Sequence, residues 1–141
     1  MDNKCNYVFP TIIGAKQLLN EAEQRNLGAW IGHSKTAAFC ARVIAERCDN
    51  LNSDTAYVLG LLRDIGRREG VTDMRHIIDG YNFMTSLGYD DCARICLTHS
   101  FPYKDIHSYN GQNDCTAEET EFIKSFLDNI ESDDYDRLIQ L

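Results

Sequence analysis

Ala56-Tyr57-Val58-Leu59-Gly60-Leu61-Leu62-Arg63-Asp64-Ile65-Gly66-Arg67 is the stretch on which the reading of this chain turns. Tyr57 to Leu62 is apolar on all sides, which predicts a central, wholly buried helix over Thr55 to Ile65. Ser53 offers an N-cap oxygen and Gly66 a break. Asp64 then falls at the C-terminal end of this helix. A carboxylate there is disfavoured twice: the helix dipole presents negative charge at that end, and burial of an unpaired ion costs several kcal/mol in order of magnitude. Something cationic must compensate, either a metal or one of the nearby bases Arg63, Arg67, Arg68 and Arg75.

Outward from this helix, the rest of the chain also reads as helices. Thr11 caps a first helix to about Arg25, with Gly28 as its stop. A second spans about Ala29 to Cys48, with His33, Ala37, Cys40, Ala41 and Ile44 as its stripe. Others run from Met74 to Leu87, stopped by Gly88, and from an Asp90 cap to about His99, with Pro102 preventing continuation. Ser100 to Asp114 is rich in turn formers and reads as a long loop. Thr116 and Glu119 form a capping box ahead of Phe122, Ile123, Phe126 and Leu127. Ser132 or Asp133 begins a last short helix, whose amphipathic pattern stops abruptly at Leu138-Ile139-Gln140-Leu141. No strand alternation or internal repeat competes. The expectation is one all-α domain over 1–141, with truncation at its C-terminus left open and any exposure of Leu138, Ile139 and Leu141 an accidental contact surface.

Composition supports a soluble globule: 141 residues, 43% hydrophobic, 26% charged, with two prolines. The formal net charge of −8 disfavours nucleic-acid polymers as partners. The acidity is local, because Asp114 to Leu141 carries nine acids against Lys124 and Arg137. That segment reads as a solvated helix face. No run approaches a membrane span, and MDNKCNYVFP lacks the apolar core of a signal peptide. Six cysteines without a C-x-x-C pair fit free thiols in a reducing cytoplasm, mostly buried in helices. Cys92 and Cys96, one helical turn apart, read as core packing.

Three histidines, His33, His76 and His99, fall on helices or helix ends, and with Asp64 they form a donor set suited to a borderline divalent metal such as Fe, Mn, Co, Ni or Zn. Spacing alone is weak support, since no two are close in sequence, and helical histidines are commonly hydrogen-bonded core residues.

The segments His33-Ser34-Lys35-Thr36-Ala37-Ala38, Ala56 to Arg67, Arg75-His76-Ile77-Ile78-Asp79-Gly80-Tyr81 and Leu97-Thr98-His99-Ser100 resemble the HD superfamily of metal-dependent phosphohydrolases. Their order is similar to the multi-histidine branch that includes diadenosine tetraphosphate hydrolases. The resemblance covers about residues 30 to 100 and implies an HD-type helical bundle. It also implies that His33 is the first metal histidine, Asp64 the carboxylate of the pair and the catalytic acidic residue, and His76 and His99 the later histidines. Two departures stand out. The histidine of the pair is replaced by Arg63, and no residue among Asp128, Asp133, Asp134 and Asp136 has the expected setting of the distal aspartate, which with the unfinished final helix suggests that it lies beyond Leu141 or is lost.

Arg63 cannot donate a lone pair and brings a positive charge to the place of a cation. The resemblance therefore leaves three arrangements open. One is a single metal on Asp64, His76 and His99, helped or not by His33. Another is a metal-free pocket with Arg63 paired to Asp64. The last is a two-metal site completed by an unexpected ligand. With a metal, the implied work is polarising a phosphoryl oxygen and lowering the pKa of a bound water. Arg67, Arg68 and Lys104 are the candidates to neutralise the phosphate of a small nucleotide or phosphate ester. Trp30 reads as a core anchor or pocket wall, Tyr103 as surface loop or base-stacking rim, and His107 as solvated. The expected function is a phosphohydrolase with altered metal chemistry, or an HD-fold binding or interaction domain that has lost catalysis.

Overall fold

The computed structural model describes residues 8–140, which places the Cys5 and Leu141 expectations outside the described residues. Among the described residues there are seven α-helices: α1 Ile12–Arg25, α2 Ala29–Ala45, α3 Ser53–Leu62, α4 Arg75–Ser86, α5 Asp90–Thr98, α6 Ala117–Asn129 and α7 Asp134–Ile139. A 3₁₀ turn, Ile65–Glu69, follows α3, and another, Ile106–Ser108, interrupts the long loop. Among the described residues there is no strand, and no helix is long and apolar enough to cross a membrane. The architecture is all-α, consistent with the expected helical bundle.

α3 is the centre of the larger core. Ala56, Val58, Leu59, Leu61 and Leu62 are buried against residues of α1, α2, α5 and α7, among them Leu19, Ile31, Ile95 and Leu138. A second core joins α4 and α5 to α6 through Ile77, Ile78, Leu97, Phe101, Ile123 and Leu127. The capping expectations at Thr11 and at Thr116 with Glu119 are met. Asp133 caps α7 through a second capping box with Asp136. Gly88 takes a positive φ of 81° after α4, the conformation that favours glycine.

Several boundaries differ from expectation. Asn52, one residue before Ser53, caps α3 by accepting from the Thr55 N–H at 3.0 Å. α3 stops at Leu62, so Ile65 belongs to the 3₁₀ turn and Asp64 occupies the junction with φ −102° and ψ 15°. Gly28 caps α2 in extended backbone, while Asn26 ends α1. The buried residues of α2 are Ile31, Ser34, Ala38, Ala41 and Ala45, one position round from the expected stripe. Small alanines on both sides made the stripe ambiguous, and the close approach of Gly60 to Ala37 and Ala38 chooses the face. His33 and Cys40 are consequently exposed. The cysteines are correspondingly less buried than expected: Cys92 and Cys96 are in the core, Cys48 and Cys115 only partly covered.

The C-terminal acids are also more structural than a solvated face. Asp136 is fully buried, accepting from Thr98 Oγ1 at 3.0 Å and lying 3.1 Å from Arg94 Nη1. Asp114 accepts from the backbone N–H groups of Asp73 and Arg75, at 2.9 and 2.6 Å, and so caps α4 from the loop. Glu119 binds Arg75 through both carboxylate oxygens.

Candidate metal centre

Asp64, His76 and His99 come together although they arise from three different elements. Their ligating atoms all lie within 4.8 Å of one another. Asp64 Oδ1 is 3.2 Å from His76 Nε2 and 3.1 Å from His99 Nε2, and the two imidazole nitrogens are 3.4 Å apart. His76 projects from the first turn of α4, and His99 is the residue that ends α5.

The outer nitrogens fix the chemistry of the inner ones. His76 Nδ1 is 2.7 Å from the Asp73 carbonyl and His99 Nδ1 is 2.8 Å from the Cys96 carbonyl. A carbonyl only accepts, so each Nδ1 carries the proton. In the neutral imidazoles both Nε2 atoms then carry lone pairs, aimed at each other and at a carboxylate oxygen. Three acceptors facing one point require either an added proton or a cation.

Asp64 is 5% exposed. Burial pushes its pKa up, but when the imidazoles of His76 and His99 are protonated their hydrogen bonds and charge outweigh burial and hold it far below the usual carboxylate range. Arg63 and Arg67 flank it: Arg63 Nε lies 3.5 Å from Oδ2 and Arg67 Nε lies 3.8 Å from Oδ1. The Arg63 guanidinium also donates to the Ile139 carbonyl at 2.9 Å and contacts His33 Nε2. His33 itself, 60% exposed at its side chain, stays 3.9 Å from Asp64 Oδ2. It is therefore bound to Arg63 and lies outside the converging triad, in the wall of the same cleft. Asp136, engaged by Arg94 and Thr98, supplies no distal carboxylate to this centre.

The triad opens onto a cleft of about 540 Å³, walled also by Trp30, His33, Arg63, Arg67, Ser100, Tyr109, Asn110 and Gln140. Arg67 is the one expected phosphate-neutralising base that lines it. Arg68 turns away, its guanidinium 3.9 Å above the Phe83 ring and its Nη1 on Glu69. Lys104 lies in a different cavity and donates to the Ile130 carbonyl at the end of α6. Both placements have the same cause: each charge serves a nearer structural partner. Tyr103 and His107 are exposed. Trp30 packs against the larger core and also walls the cleft, its Nε1 held by the Asn26 carbonyl at 2.9 Å.

Tyr109, Asn110, Ser100 and Gln140 were not expected in the wall. Ser100 Oγ lies 3.1 Å from His99 Nε2. Tyr109 reaches the cleft because its hydroxyl donates to Asp73 Oδ1 at 2.6 Å, the same residue whose carbonyl orients His76. Gln140 donates to the Phe101 carbonyl at 3.0 Å, which ties the end of α7 to the loop after His99. Only the adjacency of Ser100 to His99 was a signal available in the sequence.

Residues 8–71 match the HDOD domain family, an HD-related domain. The matched segment holds His33, Arg63 and Asp64 and ends before His76 and His99. Neither the comparison with curated proteins nor that with solved structures returned a match.

Proposed function

We propose that this chain is a single-metal phosphohydrolase of HD-related type, acting on a small phosphorylated ligand. The observation that carries the reading is the convergence of Asp64 Oδ1 with two imidazole nitrogens whose outer N–H groups are already committed to backbone carbonyls. That donor set, two imidazoles and a carboxylate, fits a divalent transition metal such as Fe, Mn, Co, Ni or Zn. When bound, such a metal supplies Lewis-acid polarisation of a phosphoryl oxygen and activation of water.

The chain's own residues divide the remaining work. Asp73 and Cys96 hold the imidazoles in the tautomer that offers Nε2 to the cleft. Arg67 faces the cleft with a partly exposed guanidinium and is suited to neutralising phosphate charge. Arg63 takes the position a second cation would need, between His33 and Asp64 Oδ2, which limits the centre to one metal.

The expected outcome with purified protein is metal-dependent turnover of p-nitrophenyl phosphate, abolished by chelation and reduced at least about 10²-fold by Asp64→Asn. Chelator-insensitive turnover would sink the reading. A second reading, a binding domain without catalysis, is favoured by one observation, the Arg63 charge resting against Asp64 and His33. Under it, the wild type binds no divalent metal and Arg63→His restores binding.

A further inference from the structure

We infer that the ligand of this cleft presents its phosphate as a terminal monoester dianion and not as an internal diester. The inference deepens the single-metal reading and rests on it for the cation it counts, but the two guanidiniums contribute to it without any metal. Whereas the chain as a whole carries −8, the charged groups in the cleft wall are Arg63, Arg67 and Asp64. With neutral imidazoles their formal sum is +1, and a divalent metal would bring it to +3.

Two further carboxylates keep their charge but are held by other partners. Asp73 accepts from the Tyr109 hydroxyl and from the Gln112 N–H, at 2.6 and 3.0 Å. Glu69 is met by Arg25 and Arg68. The cleft wall itself is thus net cationic by formal charge in an anionic molecule, with the Asp73 carboxylate behind Tyr109 offsetting part of that charge. A long polyanion meets repulsion from the surrounding surface, while a small anion is drawn to the cleft.

The two guanidiniums differ in freedom. Arg63 is fixed in the wall by the Ile139 carbonyl and by His33. Arg67 has only a long 3.4 Å hydrogen bond to the Thr72 carbonyl and a 3.8 Å approach to Asp64, so most of its five N–H donors remain available. A phosphomonoester is close to dianionic at neutral pH and offers three terminal oxygens. A diester offers two such oxygens and a single charge. One fixed cation, one free fork and a metal position around the same carboxylate suit the former.

The test is calorimetric titration at about pH 7.5, with metal content measured on the same samples. Phenyl phosphate and diphenyl phosphate are titrated into chelated and Mn²⁺-supplied protein, for the wild type, Arg67→Gln and Lys104→Gln. The expected result is that phenyl phosphate binds at least about tenfold tighter than diphenyl phosphate in both forms of the wild type. Arg67→Gln should remove most of that preference, and Lys104→Gln should leave it within about twofold. Equal or tighter binding of the diester, no binding of phenyl phosphate, or equal losses in the two variants would overturn the inference. A monoester preference in protein that takes up no metal would overturn the single-metal reading and leave the inference standing. Metal uptake without a preference would do the reverse.

Discussion

Arg63 and Glu119 show what one side chain decides in this molecule. Arg63 sets a fixed positive charge on the flank of Asp64, its guanidinium held by the Ile139 carbonyl and His33. Glu119 receives two hydrogen bonds from Arg75, at 2.6 and 2.9 Å, and also accepts from the Thr116 N–H. The Arg75 bonds hold its carboxyl below the ordinary glutamate range, against the opposing effect of burial. A carboxyl whose pKa is lowered by folding stabilises the protein above the unfolded value of about 4.3 and stops doing so as pH falls through the lowered value. Glu119→Gln should therefore cost up to about 1 kcal/mol at neutral pH, since the pair is partly solvent-screened. The gap should narrow at acidic pH, as the pH falls from the unfolded value through the lowered one. Urea unfolding at neutral and at acidic pH measures it, and an equal gap at both would refute the assignment.

At the scale of elements, the turn after α3 is the decisive join. A Cβ on Gly66 would sit 1.9 Å from the His76 carbonyl oxygen and 2.5 Å from the Gly80 nitrogen. Both are backbone atoms, so α4 itself would have to move. Gly66→Ala should destabilise the fold by roughly 2–4 kcal/mol and weaken metal binding through His76. A variant that melts within about 2 °C of the wild type would show that the turn has slack. This join also marks how far the sequence could be read. The apolar run 57–62, the Thr116/Glu119 box and the Asp64/His76/His99 set were legible because each rests on local periodicity, local capping or a resemblance in order. The outer wall was not. Tyr109 is placed by Asp73, 36 residues away, and α4 is capped by Asp114 from across the loop. Such long-range side-chain bonds leave no periodic trace. Arg68 and Lys104 were misplaced for the converse reason, since a charge count does not say which partner each base will find.

For the whole molecule, the centre is built from converging acceptors, and an acidic chain carries a cleft whose wall is net positive by formal charge. Folding assembles those acceptors from separate elements, so a metal that binds them stabilises the native state by mass action. At a free concentration of about 100 times Kd, the gain is about 2.7 kcal/mol. For a chain of this size that corresponds to a rise in Tm of roughly 5–10 °C. Scanning calorimetry with and without added metal measures this rise, which Asp64→Asn should abolish.

The most direct measurement is the metal content of the folded chain, taken by elemental analysis after incubation with excess Mn²⁺, Fe²⁺, Co²⁺ or Zn²⁺ and removal of free ions. The single-metal account expects about one ion per chain for at least one of them. It expects a loss to background in Asp64→Asn and no change in Lys104→Gln. A wild type that folds and retains none, or one that holds two, would contradict it.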